Sequence, residues 1–227
     1  MAMITTMTTD AALYRLLTWL SPTYPVGGYS YSHGIEYAVE AGLVRDRATL
    51  VDWIAQAVRH GAGLADAALL AAAWRGEGLD TICALAEAWR GSAEMALESR
   101  AQGAAFLSAT RAAWKHPALD ELALARRGEI AFPVVVGVAA ASHGVALAPT
   151  LTAYLHAFAA NLVSAGVRLI PLGQTEGQRA IAALEPVVAE TASHAMATPL
   201  EEIGTASAMI DWCSMRHETQ YTRLFRT

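Results

Sequence analysis

The sequence predicts an all-α protein, a single-domain bundle of roughly nine or ten helices. Three observations carry that prediction. Apolar residues recur at helical spacing through most of the 227 residues, and no alternating β-branched run is long enough to argue for a sheet. Alanine, the strongest helix former, is abundant throughout. Prolines and glycines fall mostly between the periodic stretches, and no linker or internal repeat divides the chain.

In chain order, Leu13, Leu16, Leu17 and Leu20 line one face of a first helix, which Pro22 and Pro25 stop. Ile35–Ala41 forms a short helix that Gly42 can end. Asp46 is placed to cap a long helical region through Leu50, Trp53, Ile54, Ala57 and Val58, with a break at Gly61–Gly63. Its continuation, Leu64–Trp74, stops at Arg75-Gly76-Glu77-Gly78. Asp80 can cap Thr81–Arg90, and Ser92 can cap Ala93–Trp114. Pro133–Leu147 and Pro149–Ala165 each open on a proline, which tolerates the first helical position because its missing N–H would have no partner there. Two capping boxes follow: Thr175-Glu-Gly-Gln178, and Thr198-Pro-Leu-Glu201 with proline at its first position.

Composition narrows the function. Apolar residues make up 54% and charged residues 16%, enough to bury a core and too apolar for a disordered segment. The net charge is −5, Lys115 is the only lysine and no basic cluster exists, which argues against nucleic-acid binding. Ile130–Val167 lacks any Asp, Glu, Lys or Arg and is long enough to span a bilayer. Pro133, His143, Gly144, Pro149, His156 and Asn161 interrupt it, so it reads as two buried helices rather than a membrane span. The first ten residues lack the pattern of a signal peptide, and Cys83 and Cys213 lack ligand spacing. Both readings place the chain in the cytoplasm with reduced thiols.

Motifs for chemistry are mostly absent. His217-Glu218-Thr-Gln-Tyr221 begins like a zinc-protease helix, but Tyr221 stands where the second imidazole is required. Gly28-Tyr29-Ser30-Tyr31-Ser32 lacks the closing glycine of a nucleophile elbow, and no phosphate-binding P-loop occurs. The seven histidines are scattered singly. The expectation is therefore no catalytic residue, no metal site, no cofactor and no small-molecule substrate. The alternative is a helical enzyme with its active site in the 29–33 loop, His33 as base and Ser30 or Tyr31 activated. No third, orienting residue for such a site is visible in the sequence.

Three segments stand apart from the helical background. Ser21–Glu36 joins two prolines and Gly27-Gly28 to a hydroxyl cluster, Tyr29 to Ser32. Ser164–Arg179 breaks at Pro171 and Gly173, gathering Arg168, Gln174, Glu176, Gln178 and Arg179 around a tight corner. Ser214–Thr227 mixes arginines with Tyr221, Leu224 and Phe225, an interface-like composition. It reads as a partner-docking tail over 215–227 rather than as packing on its own bundle.

Together these segments resemble the urease accessory protein UreF family. The resemblance lies in Pro25–Leu43, Ala165–Gln174 and Arg216–Arg226, in the family's order and spacing. It implies an all-α cytoplasmic homodimer without turnover of its own. Such a protein binds the accessory protein UreD (also called UreH) and the nickel-carrying GTPase UreG, and serves apo-urease subunits during nickel insertion. It places Tyr29, Arg168, Gln174, Glu176 and Gln178 on the GTPase side. Arg216, Tyr221, Arg223, Leu224, Phe225 and Arg226 fall on the UreD/UreH side. Some members carry lysine where this chain has Arg168; arginine keeps the charge and adds a bidentate fork.

Overall fold

A computed structural model describes residues 9–227. The sequence-based reading of the first ten residues lies almost wholly outside them. Eleven α-helices follow one another: α1 Asp10–Trp19, α2 Ile35–Glu40, α3 Arg47–His60, α4 Ala62–Arg75, α5 Leu79–Ala88 and α6 Ala93–Ala113. They continue with α7 Pro117–Arg126, α8 Phe132–Ser142, α9 Leu147–Leu169, α10 Gln174–Ala197 and α11 Ala208–His217. Single 3₁₀ turns occupy Gly28–Ser30 and Leu200–Glu202. The all-α, single-domain expectation holds.

The centre is α4, which packs against α3, α8, α9 and α10. Its alanines are buried nearly throughout, and small side chains let backbones approach. A Cβ on Gly137 of α8 would lie 2.5 Å from the Leu70 carbonyl oxygen of α4. Around this seam Leu50, Ile54, Leu69, Leu70, Leu151 and Leu155 are fully buried, each contributing about 1.5–3 kcal/mol from apolar burial. The charge-poor stretch from Ile130 to Val167 is thus core, carried by α8 and α9. Among the described residues no helix is long and apolar enough to cross a membrane.

Local chemistry explains most helix starts. Asp46 accepts from the Thr49 amide at 2.8 Å while the Thr49 hydroxyl accepts from the Asp46 amide at 3.1 Å, a reciprocal cap. Ser92 caps α6 through the Met95 amide at 3.2 Å. Other expectations need correction. Gly78, in a left-handed conformation, precedes α5, and Asp80 lies inside its first turn. Helix α10 starts at Gln174 behind Gly173, so Thr175 is two residues too far in to cap it. The Thr198 segment makes only a 3₁₀ turn. Helices α7 and α11 were not anticipated. In α1 the buried side is Ala12, Leu16 and Trp19, while Leu13 and Leu17 face solvent. The indole of Trp19 takes the core position, edge-on to Phe106, Trp114 and His143.

Candidate functional site

The three unusual segments of the sequence meet on one side of the bundle. Gly27, with φ of +72°, turns the chain into the 3₁₀ turn that displays Tyr29, which is 68% exposed. Gly34, with φ of +75°, then starts α2 directly against α11. A Cβ there would stand 2.7 Å from the Ser214 backbone nitrogen, so the close approach excludes any side chain.

Arg168, in the last turn of α9, bridges the segments. Its Nη2 donates to the Tyr29 carbonyl at 2.9 Å and its Nε donates to the Ser164 carbonyl at 3.1 Å. The guanidinium lies 4.3 Å from the centre of the Phe225 ring. Phe225 itself is only 4% exposed. Its neighbours pair with the loop: the Arg226 amide donates to the Ser30 carbonyl at 2.8 Å, and the Ser32 amide donates to the Thr227 carbonyl at 3.0 Å. The segment expected as a docking tail over 215–227 therefore starts inside α11 and folds back on its own bundle. Phe225 is not an exposed anchor, because the buried Glu36 carboxylate accepts the Leu224 and Phe225 amides at 2.6 and 2.8 Å. Tyr221, Arg223, Leu224 and Arg226 remain exposed, Leu224 by 64%.

The corner after α9 does not gather as its sequence suggests. Glu176 turns to α3, where it pairs with Arg47 at 2.8 Å, and also pairs with Arg179. Gln174 and Gln178 are exposed at the start of α10. Arg216 lies across the Tyr37 ring at 5.7 Å. Arg168 thus belongs with Tyr29 and the tail rather than with Glu176.

Beneath the loop lies a cavity of about 240 Å³, lined by Trp19, His33, Arg90, Glu98, Tyr154 and Phe158 among others. His33 holds a left-handed backbone, and its Nε2 pairs with Glu98 Oε1 at 3.0 Å. Burial opposes its charge, but the Glu98 carboxylate outweighs burial and raises its pKa above the ordinary histidine value. Glu98 also accepts from Gln102 at 2.8 Å and from the Thr227 hydroxyl at 3.2 Å. Deeper in, Arg90 pairs with Asp66 at 2.8 Å, and the Tyr154 hydroxyl donates to the same carboxylate at 3.0 Å. Glu98 is the orienting carboxylate that sequence reading did not find for His33. The enzyme alternative still lacks its nucleophile, since no hydroxyl of residues 29–32 is hydrogen bonded to the His33 ring, and the Ser32 hydroxyl is taken by the Thr227 carbonyl.

A second buried histidine sits close by. His217, from the motif rejected for zinc, lies between two carboxylates: Nε2 is 3.1 Å from Glu36 and Nδ1 is 2.7 Å from Glu94. Arg223 reaches the other Glu94 oxygen at 2.7 Å. Among the described residues no three His, Cys, Asp or Glu side chains are grouped to hold a metal ion.

The segments converging here are those whose resemblance was noted, and comparison with known proteins settles the relationship. The sequence profile of the UreF family matches residues 44–185. The chain is 52% identical over 223 residues to the urease accessory protein UreF of Bradyrhizobium diazoefficiens, covering 96% of this chain and 92% of the relative. It belongs to the UreF family. The UreF proteins of Granulibacter bethesdensis, at 53% identity over 98% of this chain and 97% of the relative, and of Rhodopseudomonas palustris, at 52% over 96% and 93%, agree. The profile match begins after the glycine loop and stops before the tail.

Proposed function

We propose that the chain is a non-catalytic urease maturation factor. In this reading it acts as an adaptor between UreD/UreH and the GTPase UreG while nickel is inserted into apo-urease. The relatives are named as urease accessory proteins, which supports a place in urease maturation. The adaptor role rests on one observation: Tyr29, Arg168 and the tail form one continuous surface. Exposed Tyr and Arg side chains are favoured anchors of protein interfaces, and a shared surface lets one partner influence how the next is met.

The tail's exposed Tyr221, Arg223, Leu224 and Arg226 are assigned to UreD/UreH, with Arg216 at the border. Tyr29 and Arg168 are assigned to UreG, with Gln174, Glu176 and Gln178 outside the shared centre. Nickel is cargo in this scheme and passes through the assembly; GTP hydrolysis belongs to UreG. The test is reconstitution from purified UreD/UreH, UreG and this chain, read by size-exclusion chromatography and by urease activation. Arg168→Ala should reduce UreG capture while UreD/UreH stays bound. Full UreG capture by both Arg168→Ala and Tyr29→Asp would remove this surface from the GTPase side. Turnover of a substrate by the chain alone, lost in His33→Asn, would instead revive the enzyme alternative.

A further inference from the structure

We infer that His217 is the positioning residue for the C-terminal tail, acting as a doubly protonated ring clamped between Glu36 and Glu94. The side chain is 0% exposed, and both ring nitrogens lie within hydrogen-bond distance of carboxylate oxygens. A carboxylate only accepts, so each contact requires an N–H, and only the imidazolium has two. The charges close within the cluster: Glu36 and Glu94 face the ring, and Arg223 completes it from the tail side through Glu94. Glu218, the next residue, is directed away and accepts from the Ala93 amide at 2.9 Å.

The consequence for the tail follows from what else Glu36 holds. Its two oxygens accept the Leu224 and Phe225 amides, and the oxygen serving Phe225 is the one bonded to His217. Glu94 in turn holds Arg223. The ring therefore orients both carboxylates that pin residues 223–225, and through them Phe225 beneath Arg168. Without the second ring proton a lone pair would face a carboxylate in this buried site, and one of the clamps on residues 223–225 would open.

The functional weight of this inference rests on the reading of the tail as partner-binding, but its first tests need no partner. Nitrogen-15 NMR of histidine-labelled full chain reports the ring state directly, with both His217 nitrogens expected to carry protons when the tail is attached. Tail attachment is read as the rate of trypsin cleavage after Arg223, normalised to a free peptide of residues 218–227. His217→Gln should raise that rate at least tenfold. Glu94→Gln is the sharper variant. Its amide can donate to a neutral Nδ1 while Nε2–H still serves Glu36, so protection should persist when the ring is neutral. A neutral ring with a protected tail in the unaltered chain would overturn the inference. So would protection in His217→Gln equal to that of the unaltered chain. If His217→Gln frees the tail yet UreD/UreH capture is unchanged, the docking role of the tail fails and the positioning role of His217 stands.

Discussion

Replacing Gly34 with alanine tests how closely the glycine loop and α11 are joined. Two costs add. A φ of +75° strains any residue with a Cβ, by about 1–2 kcal/mol. The new Cβ would also stand 2.7 Å from Ser214 N and 3.0 Å from Cys213 C, and backbone cannot rotate away as a side chain tip can. Overpacking of this kind costs about 1–3 kcal/mol more. The sum is about 2–5 kcal/mol, which for a chain of this size lowers the melting temperature by roughly 4–20 °C. Gly42 provides the control, since its φ is +71° but nothing lies within 4 Å of its Cβ position. Gly42→Ala should show the strain alone, about 1–2 kcal/mol. Thermal unfolding followed by circular dichroism at 222 nm compares them. Equal losses in the two variants would refute the close α2–α11 contact and the surface built on it.

Asp66→Asn leaves the buried Arg90 guanidinium without its counter-charge and should cost about 3–5 kcal/mol in urea unfolding, whereas Asp120→Asn at the exposed Arg111 pair should cost under about 1 kcal/mol. His33 carries a raised pKa, so its paired form contributes stability that is full below the ordinary histidine value and is lost as pH rises through the folded-state value. The stability gap between the unaltered chain and His33→Asn, a residue that tolerates left-handed backbone, should therefore be larger at pH 6 than at pH 9 by chemical denaturation. Arg168→Ala should change stability by about 1 kcal/mol or less, the scale of an exposed cation–π contact, so any loss of UreG capture in pull-downs reflects the surface and not the fold. Deleting Met215–Thr227 removes buried His217 and Phe225 together and should lower the melting temperature, an outcome checked against deletion of Tyr221–Thr227 alone.

The elements that sequence reading placed well are those whose signal is local. Asp46 and Ser92 sit directly before their helices and cap them through a single amide each, so no distant residue is needed to recognise them. Helix α11 was hidden because Met209, Trp212 and Met215 face solvent, which blurs the apolar stripe that marks a helix. Helix α7 has a local signal of its own, since His116 caps it and Pro117 opens it. The site was legible in its surface residues and illegible in its supports. Glu36, Glu94 and Glu98 look like ordinary helix charges in the sequence, and only tertiary packing sets Glu36 and Glu94 against His217 and Glu98 against His33. Phe225 misled for the opposite reason, since an aromatic residue among arginines has the composition of an interface whether it packs inward or outward.

The pairing of Ser30 and Ser32 with Arg226 and Thr227 joins segments almost two hundred residues apart in sequence. On the ribosome, Tyr29 and the glycine turn emerge early, while the chain that buries Glu36 and covers the adjoining edge is still unmade. The seams of α3 and α4 with α9 and α10 also join distant stretches and wait for those helices to be made. The glycine loop waits longer still, for Arg226 and Thr227. The loop that displays Tyr29 is therefore among the first parts of the fold to be made and among the last to find its backbone partners.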